Sequence, residues 1–241
     1  MTDRWTETGE WLVSSPLFGV TLTLAAYVGG RLLWQRLGKP AALQPVVVAI
    51  VVVAGVLLLF DIDYDDYLIG GSLISFLLGP ATVALAVPLY RQLSALRSAA
   101  LAVPTAIVLG SAGAIVAAVG FVRLLGGDEV LERTMAPKSA TTPVALELAA
   151  LYGGIPPLAA VLTVLTGIVG AVLGPWVMTR ARIVDPRARG LAVGTSSHGI
   201  GLSRILHDDP VEGAFGGLAM ALTALSTSLL MPLLLPLLGL P

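Results

Sequence analysis

Long apolar runs separated by short polar stretches dominate this chain. A bilayer core of about 30 Å needs about 20 apolar residues in a helix. Residues 16–37 meet that length and end in a basic aromatic border of Arg31, Trp34, Arg36 and Lys39. Pro40 and Pro45 punctuate the turn that follows. Residues 46–60 are rich in Val and Leu and just long enough to span if their flanks contribute. Residues 68–90 are long enough, but Gly79 and Pro80 sit in the middle. Proline there removes a backbone hydrogen bond and clashes with the preceding turn, so a broken helix is predicted. Residues 99–125 form the next clear span, despite Pro104, and residues 142–152 are too short to span alone. Residues 156–177 are a clear span whose Gly167, Gly170 and Gly174 suit close helix packing. Residues 190–206 hold a polar stretch, and 214–238 make the last span. The fold class predicted is an all-α integral membrane protein, with about six full transmembrane helices plus one or two broken or re-entrant ones. It reads as a single polytopic membrane domain over 1–241: an extramembrane N-terminus (1–15), N-terminal helices (16–125) and a core (136–238).

Composition supports the membrane reading. The chain has 241 residues, of which 56% are hydrophobic and 12% charged. Soluble domains carry about 25% charged residues, so lipid must cover much of this surface. The net charge of −1 offers no sign of nucleic-acid binding. With no cysteine, disulfides, thiol catalysis and thiolate-held metals are excluded. The N-terminus, MTDRWTETGEWLVSS, lacks the basic region of a signal peptide, so the first apolar run is expected to stay in the mature protein. Lys and Arg concentrate at 31–39, 91–97 and 180–189, whereas 61–66 is acidic. Placing the basic loops inside puts the N-terminus outside. It also requires residues 142–152 to turn back rather than cross. A faint internal repeat relates 83–90 (VALAVPLY) to 144–152 (VALELAALY), and repeats with broken helices are common in secondary transporters.

Two polar interruptions stand out. In lipid every backbone N–H and C=O needs a partner, so a helix break at membrane depth must line a polar cavity or be buried in protein. Residues 136–143 (APKSATTP) end in a predicted helix start, whose free N–H groups and positive dipole end favour an anion. Lys138 adds a positive charge, and Ser139, Thr141 and Thr142 add hydroxyls, an inventory that fits a small carboxylate. Capping of the helix by these hydroxyls before Pro143 is expected in any case. Residues 194–203 (GTSSHGIGLS) repeat the logic. Gly199 and Gly201 allow close backbone approach, Ser196 and Ser197 offer donors, and Arg204 could face a carboxylate. His198 can change charge near neutral pH, which suits proton coupling; it could equally be a buried hydrogen-bonded histidine without a transport role. Glu147, an ionisable group among apolar residues, could couple a proton or cation, pair with Lys138, or face water.

Other features are weaker. The DIDYDDY stretch, with Asp61, Asp63, Asp65 and Asp66, has hard oxygen ligands. It lacks the glycine and terminal glutamate of a calcium loop, so a solvated acidic loop is the preferred expectation. Asp208, Asp209 and Glu212 read as another polar turn. No HExxH, phosphate-loop or GxSxG pattern is present. No enzyme activity, cofactor or metal site is assigned.

At 138–142 (KSATT), 185–194 (DPRARGLAVG), 197–201 (SHGIG) and 212–220 (EGAFGGLAM), the chain resembles the LrgB/CidB family of bacterial membrane proteins. The resemblance runs from about residue 68 to the C-terminus and is strongest over 136–235; residues 1–45 match in hydropathy alone. Leu202 and Ser203 depart from the small or polar residues the family commonly has before Arg204. The resemblance implies a bacterial cell (inner) membrane location and one of two roles. Some members are holin- or antiholin-like proteins that modulate murein hydrolase activity and autolysis. Others look like transporters of small carboxylates such as glycolate, glycerate or pyruvate. It also implies a small LrgA/CidA-type membrane partner, here expected as a separate chain. The polar breaks favour a carboxylate carrier. The glycine faces keep homo-oligomerisation and a holin-like role open, and a regulatory membrane subunit is a third class.

Overall fold

Proline and short polar side chains set the helix starts. The computed structural model describes residues 13–38, 40, 43–77, 80, 83, 90, 101–205 and 209–240, apart from the side chains of Ser203 and Arg204. Among these residues regular structure is helical and no strand occurs. The predicted break at Gly79-Pro80 and the 83–90 repeat segment fall largely outside them, as do Arg91 and Arg97. The chain divides into two compact units, 1–83 and 84–241.

The first unit holds α1 (Pro16–Arg36), α2 (Pro45–Leu59) and α3 (Tyr64–Phe76). α1 packs on both others. A Cβ on Gly19 would lie 3.0 Å from the Gly71 nitrogen and 3.1 Å from Gly70 Cα, so glycine permits the α1–α3 crossing. Thr23 Oγ1 donates to the Gly19 carbonyl at 2.7 Å and lies 2.9 Å from the Tyr67 hydroxyl. α2 has 15 residues, about 22 Å of helix at 1.5 Å per residue, short of a bilayer core. Most of the acidic stretch is not a loop. Asp63 caps α3 through the Asp65 N–H at 3.1 Å, and Asp65 and Asp66 occupy the first turn, where the helix dipole favours negative charge.

The second unit holds α4 (Ala102–Leu124), α5 (Glu129–Met135), α6 (Thr142–Leu151), α7 (Pro156–Arg180), α8 (Pro186–Ile205) and α9 (Pro210–Leu237). Four helices among the described residues, α1, α4, α7 and α9, are long and apolar enough to cross a membrane. α9 is the most enclosed of them. Leu165, Val169, Leu173 and Trp176 of α7, and Leu225, Leu229 and Leu233 of α9, point outward. Such a surface is stable when lipid covers it.

α4 and α9 run parallel. Val103 and Ile107 share an apolar cluster with Phe215, Leu218 and Ala219, while Ile115 and Val119 share one with Met231 and Leu235. Two excursions leave this frame from opposite ends. At the C-terminal end, the Arg123 guanidinium donates to both Glu132 carboxylate oxygens (2.9 and 2.6 Å) and to the Leu238 carbonyl (2.9 Å), which pins α5 there. The chain then turns through 136–141 and returns as α6. The return ends where the Ile155 N–H donates to Thr134 Oγ1 at 2.8 Å. Residues 142–152 therefore go back to the end they left. At the N-terminal end of α9, Arg189 pairs with Glu212 at 3.3 Å and Arg187 lies over the Phe215 ring, fixing the start of α8. Glu212 is thus a buried helical residue rather than part of a polar turn. Asp209 caps α9 through the Val211 and Glu212 N–H groups at 2.7 and 3.1 Å, so this helix starts four residues before its predicted boundary.

Candidate functional site

The polar stretch inside α8 is the tip of a helical hairpin. His198 has φ 39° and ψ −137°, a left-handed backbone that non-glycine residues rarely adopt. Such a residue costs about 1–3 kcal/mol and marks sites of function or forced geometry. It reverses the chain. A Cβ on Gly201 would lie 2.9 Å from Val193 Cγ1, whereas eight residues of continuous helix span about 12 Å. Val193 and Ile205 meet in one cluster with Met178. The outgoing limb is 186–197 and the returning limb 199–205.

Glycines let this hairpin sit between α7 and α9. A Cβ on Gly194 would clash with the Gly216 carbonyl and lie 2.7 Å from Ala219 Cβ. A Cβ on Gly170 would overlap Ser197 Oγ. One on Gly167 would stand 2.6 Å from His198 Cε1. Gly174, on the same predicted face, meets open space. In the room these residues leave, the His198 ring is buried and its Nε2 donates to the Thr163 carbonyl at 2.8 Å. A carbonyl only accepts, so Nε2 carries a proton here. Ser197 is fully buried, with its hydroxyl 3.0 Å from that of exposed Ser196. Ser196 also donates to the Ala192 carbonyl at 2.7 Å. Gly199 is exposed and Gly201 buried. The Arg204 side chain and His207 lie outside the described residues.

The other interruption supplies a bare helix start. Thr141 occupies the N-cap position of α6 with extended backbone (φ −66°, ψ 150°), but its side chain makes no capping bond. The expected Ser/Thr capping is therefore absent at this residue. The hydroxyl is buried and has no hydrogen-bond partner. Ser139 is buried, while Lys138 and Thr142 are half-buried. Glu147 faces outward from α6, opposite buried Ala145, Leu148 and Ala149. Neither it nor Lys138 joins an ion pair among the described residues; Glu132, Glu129 and Glu212 take arginines instead.

Two groups of predicted residues thus lie at the ends of two opposed excursions. Ser196, Ser197, His198, Gly199 and Gly201 form one tip. Lys138, Ser139, Thr141 and Thr142 form the other. Sequence reading missed Thr163 and Glu132. A single threonine in an apolar span has no pattern to flag it. Glu132 follows Arg123 by nine residues, a separation that marks neither helix pairing nor strand pairing.

Helices with lipid-suited outer faces, polar hairpin tips and enclosed hydroxyls define an all-α membrane protein. The LrgB-like family model matches residues 23–237, nearly the whole chain. The chain belongs to the LrgB family, and the match takes in much of the N-terminal region that hydropathy alone had related to it. It is 35% identical to uncharacterized protein YwbG of Bacillus subtilis (strain 168), over 89% of this chain and 95% of that one. It is 34% identical to YxaC of the same organism, over 89% and 93%. It is 31% identical to the antiholin-like protein LrgB of Bacillus mycoides (strain KBAB4), over 93% and 98%. Of these three names, the last carries a role, antiholin-like. No solved structure matches the chain.

Proposed function

We propose that the chain carries a small carboxylate, of the glycolate, glycerate or pyruvate type, across the bacterial inner membrane as a multi-pass protein. The observation that supports this is the pair of helical excursions entering the second unit from opposite ends of α9. One ends in a helix start with a buried, unbonded N-cap hydroxyl; the other ends in the His198–Gly199 turn. Interrupted helices whose N-termini face an anion are the usual substrate sites of secondary carriers. In this proposal the carboxylate meets the N–H groups at Thr141 and Thr142, with Lys138 supplying charge and Ser139 a further hydroxyl. Ser196, Ser197 and the Gly199 and Gly201 backbone face it from the α8 tip. His198 and Glu147 are the groups available for coupling.

A second reading, an antiholin-like protein that modulates murein hydrolases, has more direct support from the relatives' names. A small LrgA-type partner suits either role. The two separate on ligand binding. A ligand at 100 times its Kd stabilises the folded protein by about 2.7 kcal/mol. Pyruvate or glycolate is expected to raise the Tm of detergent-solubilised wild type and not of Lys138→Ala. Lys138→Ala and His198→Ala are expected to abolish uptake while still inserting in the membrane. Unchanged uptake in both variants would remove the site assignment.

A further inference from the structure

Several serine and threonine hydroxyls among the described residues bond the carbonyl four residues back. Thr105, Thr134, Thr179, Ser196 and Ser228 all do so, at 2.6–2.9 Å. Five buried hydroxyls do not: Ser111 Oγ, Thr141 Oγ1, Thr163 Oγ1, Thr223 Oγ1 and Ser226 Oγ have no hydrogen-bond partner among the described residues. A buried polar group left so is costly, and each such group in a folded protein calls for a reason.

These five lie at one height. On the α4–α9 frame, Val103 and Ile107 pack with 215–219 and Ile115 and Val119 with 231–235, so position n on α4 faces between n + 112 and n + 116 on α9, which for Ser111 is 223–227. Ser111 therefore faces the turn that holds Thr223 and Ser226. Ser111 lies on the same buried stripe as Val103, Ile107 and Ile115. α6 runs in the same direction as this frame, with Leu148 in the 115/119–231/235 cluster. Thr141, seven residues earlier, sits about 10 Å deeper. Seven residues back along the other two helices gives 108–112 and 224–228. The α8 tip reaches this height too: a Cβ on Gly110 would lie 3.2 Å from Thr195 Cγ2, and one on Gly199 would lie 3.8 Å from Met220 Sδ. Thr163 is tied there through His198.

We propose that Ser111, Thr223 and Ser226 form a third wall of the site, on α4 and α9. This wall is wet, and its hydroxyls donate to a small hydrogen-bond-accepting anion held between the two tips. The ligand class rests on the carboxylate proposal above. The wall carries donors but no charge, so it reads the shape of the anion while Lys138 and the α6 N-terminus balance its charge.

The native chain has no cysteine, which makes the test direct. Ser111→Cys, Thr223→Cys and Ser226→Cys, each nearly isosteric, are made in the full-length protein in proteoliposomes. Labelling by a small charged methanethiosulfonate is followed with and without pyruvate or glycolate. Val184→Cys, in an exposed turn, is the labelled control. Leu229→Cys, on the outward face of α9, is the lipid-covered control. Ser196→Cys reports the α8 tip. The expected result is labelling at the three wall positions above that of Leu229→Cys, lost when the carboxylate is present. No labelling at any of the three overturns the wall. Labelling there without protection, while Ser196→Cys is protected, overturns the wall and leaves the carboxylate site. Protection at neither place overturns both.

Discussion

Gly167 and Gly174 share a face of α7, and only one of them faces the hairpin. Alanine at Gly167 puts a Cβ 2.6 Å from His198 Cε1, 3.0 Å from Nε2 and 3.0 Å from Ile200 Cβ. The ring cannot yield without leaving the Thr163 carbonyl, its 2.8 Å partner. Overpacking costs about 1–3 kcal/mol, and the lost hydrogen bond about 0.5–1.5 kcal/mol. Better helix propensity returns about 1 kcal/mol. The net for Gly167→Ala is a loss of about 0.5–3.5 kcal/mol, the sum of those terms. Gly174→Ala meets open space and keeps the propensity gain, about 1 kcal/mol. For a chain of this size each kcal/mol moves Tm by about 2–4 °C. Thermal unfolding of the two purified variants, followed by loss of the monodisperse peak in size-exclusion chromatography, should therefore move in opposite directions. Equal Tm values would refute the packing of the α8 tip on α7.

Asp209 and Thr141 both occupy N-cap positions, but only Asp209 bonds its helix. Asp209→Ala should cost about 1 kcal/mol in thermal unfolding, while Thr141→Val leaves Tm nearly unchanged and weakens carboxylate protection. Arg123→Ala leaves the buried Glu132 carboxylate unpaired, so it should lower Tm more than Glu132→Gln, which removes the buried charge instead. Gly194→Ala drives a Cβ into the Gly216 carbonyl; it should destabilise the protein and loosen α8 from α9, read as faster protease nicking near residue 183.

The spans were legible because lipid imposes a length. Residues 16–37, 99–125, 156–177 and 214–238 all became long helices, with ends shifted by at most four residues. The shifts come from caps and first turns, as at Asp209, where a charged residue starts the helix rather than ending a loop. The α8 reversal was not legible. It rests on the dihedrals of one residue, His198, and residues 190–206 are compatible with a straight helix. The polar, glycine-rich composition marked the place without the direction. The spacing of Gly190 and Gly194 against Gly216, and of Gly201 against Val193, was the signal for close packing. The two tips were chosen from composition and stand at the inner ends of opposed excursions. Their third wall was hidden, because Ser111, Thr223 and Ser226 are isolated hydroxyls in apolar runs. Only the helix register brings them level.

The central claim is tested most directly by flux. Purified protein in liposomes, with and without an LrgA-type partner, is given labelled pyruvate, glycolate or glycerate under an imposed pH gradient, alongside a trapped bulky dye. A carrier predicts saturable uptake of one of these acids with the dye retained. Dye release without saturable uptake would contradict it and make the chain a pore-former of the holin-like class.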